Sequence, residues 1–383
     1  MEPALCVNGD RRIGFPIYLP EYIGIMNANL FEAGDSELDP LSLIGVPGSP
    51  YTRKMVAVLR YRRIPYRLIF SGREPADFPT SKVRLLPTFY LPGADGRLEA
   101  VTDSTPLIRR FEREYEGRSV RPANPVLAFL DSLLEDYGDE WLTKAMFHYR
   151  WAYRKDIDLA AGVLPSWGPR PLDDEALATV GKAIAERQIS RLRYVGSSPR
   201  TGPMIEDSYV RFIDLFERHL SQHRYLFGGR PGAGDFAVFG QLTQLVNVDP
   251  TPMAVAAARA PRLFAWVGLT DDLCGLEPGE ADWFDPAVLP DTLLAILKES
   301  GRVYPPLLLA NAAAAAAGEA TVETTIDGHA WSQQTFPYQV KCLAWLRAEY
   351  EALSAGERAM ADAALAGTGW AALFSRGVAS SSD

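Results

Sequence analysis

The stretch from Leu43 to Arg62, LIGVPGSPYTRKMVAVLRYR, constrains the fold of this chain most strongly. An apolar run that reads as a strand over Ser42–Val46 meets a Gly/Pro turn. Ser49-Pro50 then opens a helix over Tyr51–Arg62, with Met55, Val56, Val58 and Leu59 apolar at helical spacing. Tyr66–Phe70 follows with strand composition. Strand, helix and strand in this order predict a parallel βαβ unit, whose crossover is almost always right-handed. Thr88–Leu91 and Leu98–Val101 read as a hairpin across Pro92-Gly93-Ala94-Asp95-Gly96. Asp103 or Ser104 then starts a helix through Tyr115.

The rest of the chain is mostly helical in pattern. Val126–Trp151 is long and aromatic-rich; Asp174–Val195, Ile205–Ser221, Asp235–Asn247 and Arg262–Leu273 follow. Gly/Pro/Ser breaks fall at Gly196–Pro203 and Gly228–Gly234. The last part reads as a helix over Pro305–Ala317 and a hairpin of Thr321–Ile326 and His329–Gln333. The hairpin turns at Asp327-Gly328, a dipeptide suited to a two-residue turn, and two helices follow between Pro337 and Phe374. The expected organisation is an arm over 1–40, an α/β domain over 41–118, an all-helical domain over 121–275 and an α-rich extension over 290–383.

Charge and cysteines narrow the function. A net charge of −9 offers no electrostatic footprint for nucleic acid and disfavours an anionic membrane surface. No apolar run reaches the ~18 residues that a spanning helix needs. The N-terminus lacks the basic-then-apolar order of a signal peptide. Cys6, Cys274 and Cys342 are odd in number and far apart, which points to a reducing cytoplasm. They form no C-x-x-C pair and no zinc cluster. His219 and His223, four apart without the glutamate of H-E-x-x-H, read as a solvated helix face, so no metal is expected.

Three short fragments carry the chemistry. Ser49-Pro50 is a favoured helix start: Ser caps and Pro suits the first turn. The same start presents unpaired N–H groups and a positive dipole end, so it favours an anion and lowers the pKa of a thiol placed there. Leu86-Pro87 precedes a strand, and Thr102-Asp103-Ser104-Thr105 with Ile108 opens a helix. Their order resembles the N-terminal, thioredoxin-like domain of the glutathione S-transferase superfamily, and the resemblance covers about 42–275.

The resemblance implies a thioredoxin-like α/β domain, a glutathione-transferase-type helical domain and an atypical C-terminal extension. It implies glutathione as co-substrate, with Ser49 in the catalytic place of the S/C-P-[FY]-x motif and Tyr51 in a slot that packs inward. Leu86, before a cis Pro87, would pair through its backbone with the cysteinyl part of glutathione. Ser104 would hold the γ-glutamyl carboxylate and Asp103 the ammonium. Arg73, or Lys82, would meet the glycyl carboxylate, while Trp141, His148 and Trp151 would line the acceptor pocket. Gly228–Ala237 resembles a structural capping segment in which Gly232 leaves only the Asp235 half of the box. Each residue also has a plainer reading, as a cap, a surface charge or a core aromatic.

The leading expectation is a cytoplasmic homodimer that conjugates the glutathione thiolate to an apolar electrophile. One alternative is a non-catalytic glutathione-binding or interaction protein. Another is a glutathione-dependent reductase or ether-cleaving enzyme. Ser49 and Thr52 stand where a glutaredoxin has cysteines, which argues against thiol–disulfide exchange.

Overall fold

Short apolar runs separated by turn residues build a four-stranded sheet, seen in a computed structural model that describes residues 40–375 apart from 82 and 84. Strand β1 (Leu41–Gly45) leads through helix α1 (Pro50–Arg62) to β2 (Tyr66–Phe70), and β1 and β2 pair in parallel with Leu43 opposite Leu68. On its other side β1 pairs antiparallel with β3 (Thr88–Pro92), which pairs with β4 (Leu98–Val101). The order β2-β1-β3-β4 is a thioredoxin-like mixed sheet, followed by α2 (Ser104–Glu114). Leu43, Met55, Val58, Leu59, Phe89, Ile108 and Phe111 are fully buried between sheet and helices.

The helical part begins with α3 (Pro125–Tyr137), capped by Asn124. The long helix expected over Val126–Trp151 is present without a break, as α3 and α4 (Thr143–Ala152) joined through a π-helical turn at Gly138–Leu142. Gly138 lies against the next layer, where a Cβ would stand 3.0 Å from Ala237 and Val238. Helices α5 (Arg154–Ser166), α6 (Asp174–Ile189), α7 (Gly202–Leu220), α8 (Ala233–Asn247), α9 (Pro250–Arg259) and α10 (Pro261–Thr270) complete this part. The sequence reading lacked α5 and α9; α5 carries Pro165 in its last turn and α9 carries Pro252, both of which interrupt a helical pattern. His219, read as solvated, is instead buried: one ring nitrogen meets the Thr292 hydroxyl and the other the Tyr225 carbonyl, each at 2.9 Å.

The start of α8 shows how packing completes a weak local signal. Asp235 accepts from the backbone N–H of Gly232 at 2.9 Å, but Gly232 has no side chain to return the bond. Asp131 of α3 takes that role, accepting from the N–H groups of Ala233 and Gly234, both at 3.0 Å. A Cβ at Gly232 would stand 2.4 Å from the Asp131 carboxylate, so glycine is what admits the distant cap.

The extension consists of α11 (Asp291–Ala317), a hairpin of β5 (Thr321–Ile326) and β6 (His329–Gln334), then α12 (Pro337–Ala352) and α13 (Ala355–Leu365). Asp327 and Gly328 both take positive φ, 49° and 78°, as the two-residue turn requires. Helix α11 runs through Pro305 and Pro306 rather than starting there. Its fully buried Leu293, Ile296, Leu297, Val303, Tyr304, Leu307 and Leu308 outweigh the local cost of proline. Helices α12 and α13 pack on α3. Residues 1–39, Cys6 among them, and Lys82 lie outside the described residues. Among the described residues no helix is long and apolar enough to cross a membrane, and no His/Cys/Asp/Glu group has the makings of a metal site.

Candidate functional site

The turn Pro47-Gly48 delivers Ser49 in extended backbone, φ −98° and ψ 117°, at the cap of α1. Its oxygen accepts from the Thr52 N–H at 3.2 Å, and its hydroxyl donates to the Leu86 carbonyl at 3.3 Å. The Leu86–Pro87 peptide bond is cis. The turn is tied to the helical part: Gln244 donates to the Pro47 carbonyl at 3.1 Å and Arg150 to that of Gly48 at 3.2 Å. Buried Arg150 is itself fixed by Asp249 and Gln244, each at 2.8 Å. Helix α8 approaches closely because Gly240 has no Cβ, which would otherwise stand 2.6 Å from the Pro50 carbonyl oxygen. At Gly48 a Cβ would meet Leu164 and Trp167 at 2.6 Å. Ser49 is thus a half-buried hydroxyl on an immobilised helix start, beside the positive end of the dipole.

One turn further along α1, Lys54 is fully buried. Its ammonium donates to Glu135 at 2.9 Å, Asp139 at 2.6 Å and the Ser104 hydroxyl at 3.1 Å. Burial alone would favour neutral lysine, but the Asp139 and Glu135 carboxylates outweigh it and hold the ammonium above its usual pKa. Burial likewise opposes ionisation of Glu135, yet Lys54 and Arg109 pull its pKa down to about 2. Asp139 goes the other way, to about 6, because burial and Glu135 together exceed the help from Lys54. The Tyr51 hydroxyl donates to the Asp139 carbonyl at 2.7 Å; burial, then Glu140 and Asp139, keep this phenol protonated far above the ordinary range.

At the start of α2, Asp103 holds φ 86°, an uncommon conformation for a residue with a side chain and one that tends to mark ligand sites. Its carboxylate accepts from the Tyr338 hydroxyl of α12 at 2.9 Å. The adjacent Ser104 hydroxyl lies 3.4 Å from Asp139 in addition to its contact with Lys54.

The family model described as Glutathione S-transferase, N-terminal domain matches residues 43–119, and that described as Glutathione S-transferase, C-terminal domain matches residues 176–268. The chain belongs to the glutathione S-transferase superfamily. No curated protein matched it. Among solved structures it is similar to a glutathione transferase family member from Pseudomonas fluorescens with two glutathione bound, at 14% identity over 61% of this chain and 89% of that one, TM-score 0.37. A Pseudomonas putida glutathione transferase with glutathione disulfide bound is 12% identical over 64% and 94%, TM-score 0.38. A Methylobacterium radiotolerans glutathione S-transferase in complex with glutathione sulfonate is 17% identical over 64% and 94%, TM-score 0.36.

Of the residues that the superfamily resemblance singles out, the structure joins Ser49 to Leu86 directly and Ser104 to α1 through Lys54, while Asp103 meets Tyr338 of α12. Arg73 is exposed and donates through Nε to the Pro169 carbonyl at 2.8 Å, in the segment whose Trp167 packs beside Gly48. It borders a cleft of about 500 Å3 with Phe70 and the loop from Ser166 to Leu172. Trp141, His148 and Trp151 are all buried. Trp141 lies against Trp331 of the hairpin, ring centroids 5.5 Å apart, and donates to Ser208 at 2.9 Å. His148 meets Ser197 at 2.7 Å and Glu206 at 3.0 Å. Trp151 packs in a separate cluster with Ala160 and Ala185. Sequence reasoning missed Lys54, Glu135, Asp139 and Tyr338. A lysine inside the apolar run of α1 and carboxylates four apart on an aromatic-rich helix were the available signals for the first three.

Proposed function

We propose that this chain binds glutathione across Ser49, Leu86 and the start of α2 and conjugates its thiolate to an electrophilic, apolar small molecule. The observation that carries this reading is the Ser49 hydroxyl at the α1 cap, 3.3 Å from the Leu86 carbonyl. That carbonyl is the acceptor which a cysteinyl N–H would take in a one-residue β-pairing. Substrate binding then exchanges one bond for another. The cysteinyl N–H replaces Ser49 on Leu86, and the freed hydroxyl donates to the sulfur. With the helix dipole behind it, the sulfur loses its proton to solvent and is held as thiolate. It attacks the electrophilic carbon, the C–S bond forms, and the leaving group departs with the electron pair of the bond it loses. Positioning and thiolate stabilisation are the protein's contributions. In this reading the protein works without a metal, in the cytoplasm, as a two-fold dimer.

A second reading, a glutathione-binding protein that does little chemistry, is favoured by the enclosed acceptor region, where Trp331 of the extension packs on Trp141. Calorimetry with glutathione on the full chain and on Ser49→Ala, with ultraviolet detection of bound thiolate near neutral pH, separates the two. Binding with a thiolate signal that Ser49→Ala removes supports the transferase. Binding without thiolate supports the second reading, and no binding sinks both.

A further inference from the structure

We infer that Tyr338, on the C-terminal extension, is a specificity-determining residue: it occupies the amino end of the thiol site, so this chain binds γ-glutamyl thiols without reading their α-ammonium. The inference rests on the proposed glutathione site. Its physical basis is an acceptor already in use. Asp103 is the carboxylate assigned to the substrate ammonium, and the Tyr338 hydroxyl holds its Oδ1 at 2.9 Å. A bond to an ionised carboxylate is among the stronger hydrogen bonds a neutral donor can make. The neighbouring Ser104 hydroxyl is likewise engaged, by Lys54 at 3.1 Å.

Tyr338 is held there from both sides. Fully buried Asn311 of α11 clamps the backbone of Phe336, accepting its N–H at 2.8 Å and donating to its carbonyl at 2.9 Å. Buried Gln339 donates to Glu140 at 3.1 Å. Phe336 and Trp345 flank the tyrosine ring, each with centroid 6.1 Å away. Further along α12, Glu349 accepts from Arg121 at 3.0 Å and Ser132 at 2.7 Å, fastening the helix to the body. An incoming ammonium therefore meets a carboxylate whose charge is already shared with a donor that costs no further ordering to keep in place, and it gains less there.

The test is calorimetry on the full chain with two probes: glutathione, and its analogue in which hydrogen replaces the α-amino group. Wild type is expected to bind both with similar Kd. Tyr338→Phe, which keeps the ring and removes only the hydroxyl, frees Asp103 and is expected to favour glutathione over the analogue by about tenfold, the order of one charge-assisted bond. Asp103→Asn gives an independent reading: with Tyr338 present, it should leave the ratio of the two Kd values unchanged. An equal ratio in wild type and Tyr338→Phe, with binding intact, overturns this inference alone. So does a wild type that prefers glutathione over the analogue and loses that preference in Asp103→Asn. Failure of every protein to bind either probe removes the glutathione site and the inference together.

Discussion

Replacing Lys54 by methionine tests whether the buried ionic network holds the two halves of the site together. The substitution keeps an unbranched side chain, one atom shorter, and removes the charge. The ammonium lies 2.9 Å from Glu135 and 2.6 Å from Asp139, in surroundings where none of the three side chains is more than 9% exposed. Glu135 keeps a partner in Arg109 at 3.2 Å, but Asp139 is left with the Ser104 hydroxyl. Breaking a buried pair from one side costs about 3–5 kcal/mol, a large part of the stability of a typical domain. The loss is expected at pH 7.5 and should shrink at pH 5.5, because Asp139, already raised to about 6, takes up a proton more readily there. Urea unfolding followed by tryptophan fluorescence reads the change. The triple variant Lys54→Met, Glu135→Gln, Asp139→Asn should recover most of the loss, since neutralising a buried network costs far less than orphaning its charges. A single variant that loses less than about 1 kcal/mol refutes the reasoning. A triple variant as unstable as the single would mean that packing, not charge, set the effect.

The remaining predictions follow from close approaches and from burial. Gly232→Ser introduces a favoured capping residue, yet its Cβ would displace Asp131 from 2.4 Å; thermal unfolding should show a loss of about 2–4 kcal/mol, and a gain would contradict the distant cap. Gly48→Ala should cost about 1–3 kcal/mol by pressing on Leu164 and Trp167 at 2.6 Å, whereas an unchanged melting temperature would show that the turn has room. Burial raises Asp131 to about 7, helped by Glu135, and raises Asp136 to about 8, helped by Glu140. In the folded state these groups therefore keep protons that the unfolded chain has lost, so their contribution to stability is present at low pH and disappears as pH rises through those values. His219, lowered to about 4 by burial, opposes this only at the bottom of the range, where the unfolded chain still releases its imidazole proton at about 6.5; the two aspartates, titrating at about 7 and 8, outweigh it. Urea unfolding should accordingly show stability falling from pH 6.5 to 8, and a rise over that window would count against the assignment.

Much of the sheet and several helix starts were legible because their causes are local. The cap at Ser49, the strand at Tyr66–Phe70 and the Asp327-Gly328 turn each depend on a few consecutive residues and stand where the sequence places them. Helix continuity was harder to read. The π turn at Gly138–Leu142 answers to the close approach of α8, and the passage of α11 through Pro305 answers to buried leucines around it. His219 was misread for the same reason, because what buries a helix face is another element.

By itself the sequence determined the thioredoxin-like order of elements, the superfamily, and a serine at a helix start beside Leu86-Pro87. Capping, turn chemistry and apolar spacing act over a few residues, so they can be read in a line of text. The tertiary structure alone decided which groups meet at the amino end of the site. Lys54 finds Glu135 across 81 positions, and Tyr338 finds Asp103 across 235. No local pattern encodes such partners. They arise because buried polar groups must be satisfied within the protein, and packing determines which distant side chain does it.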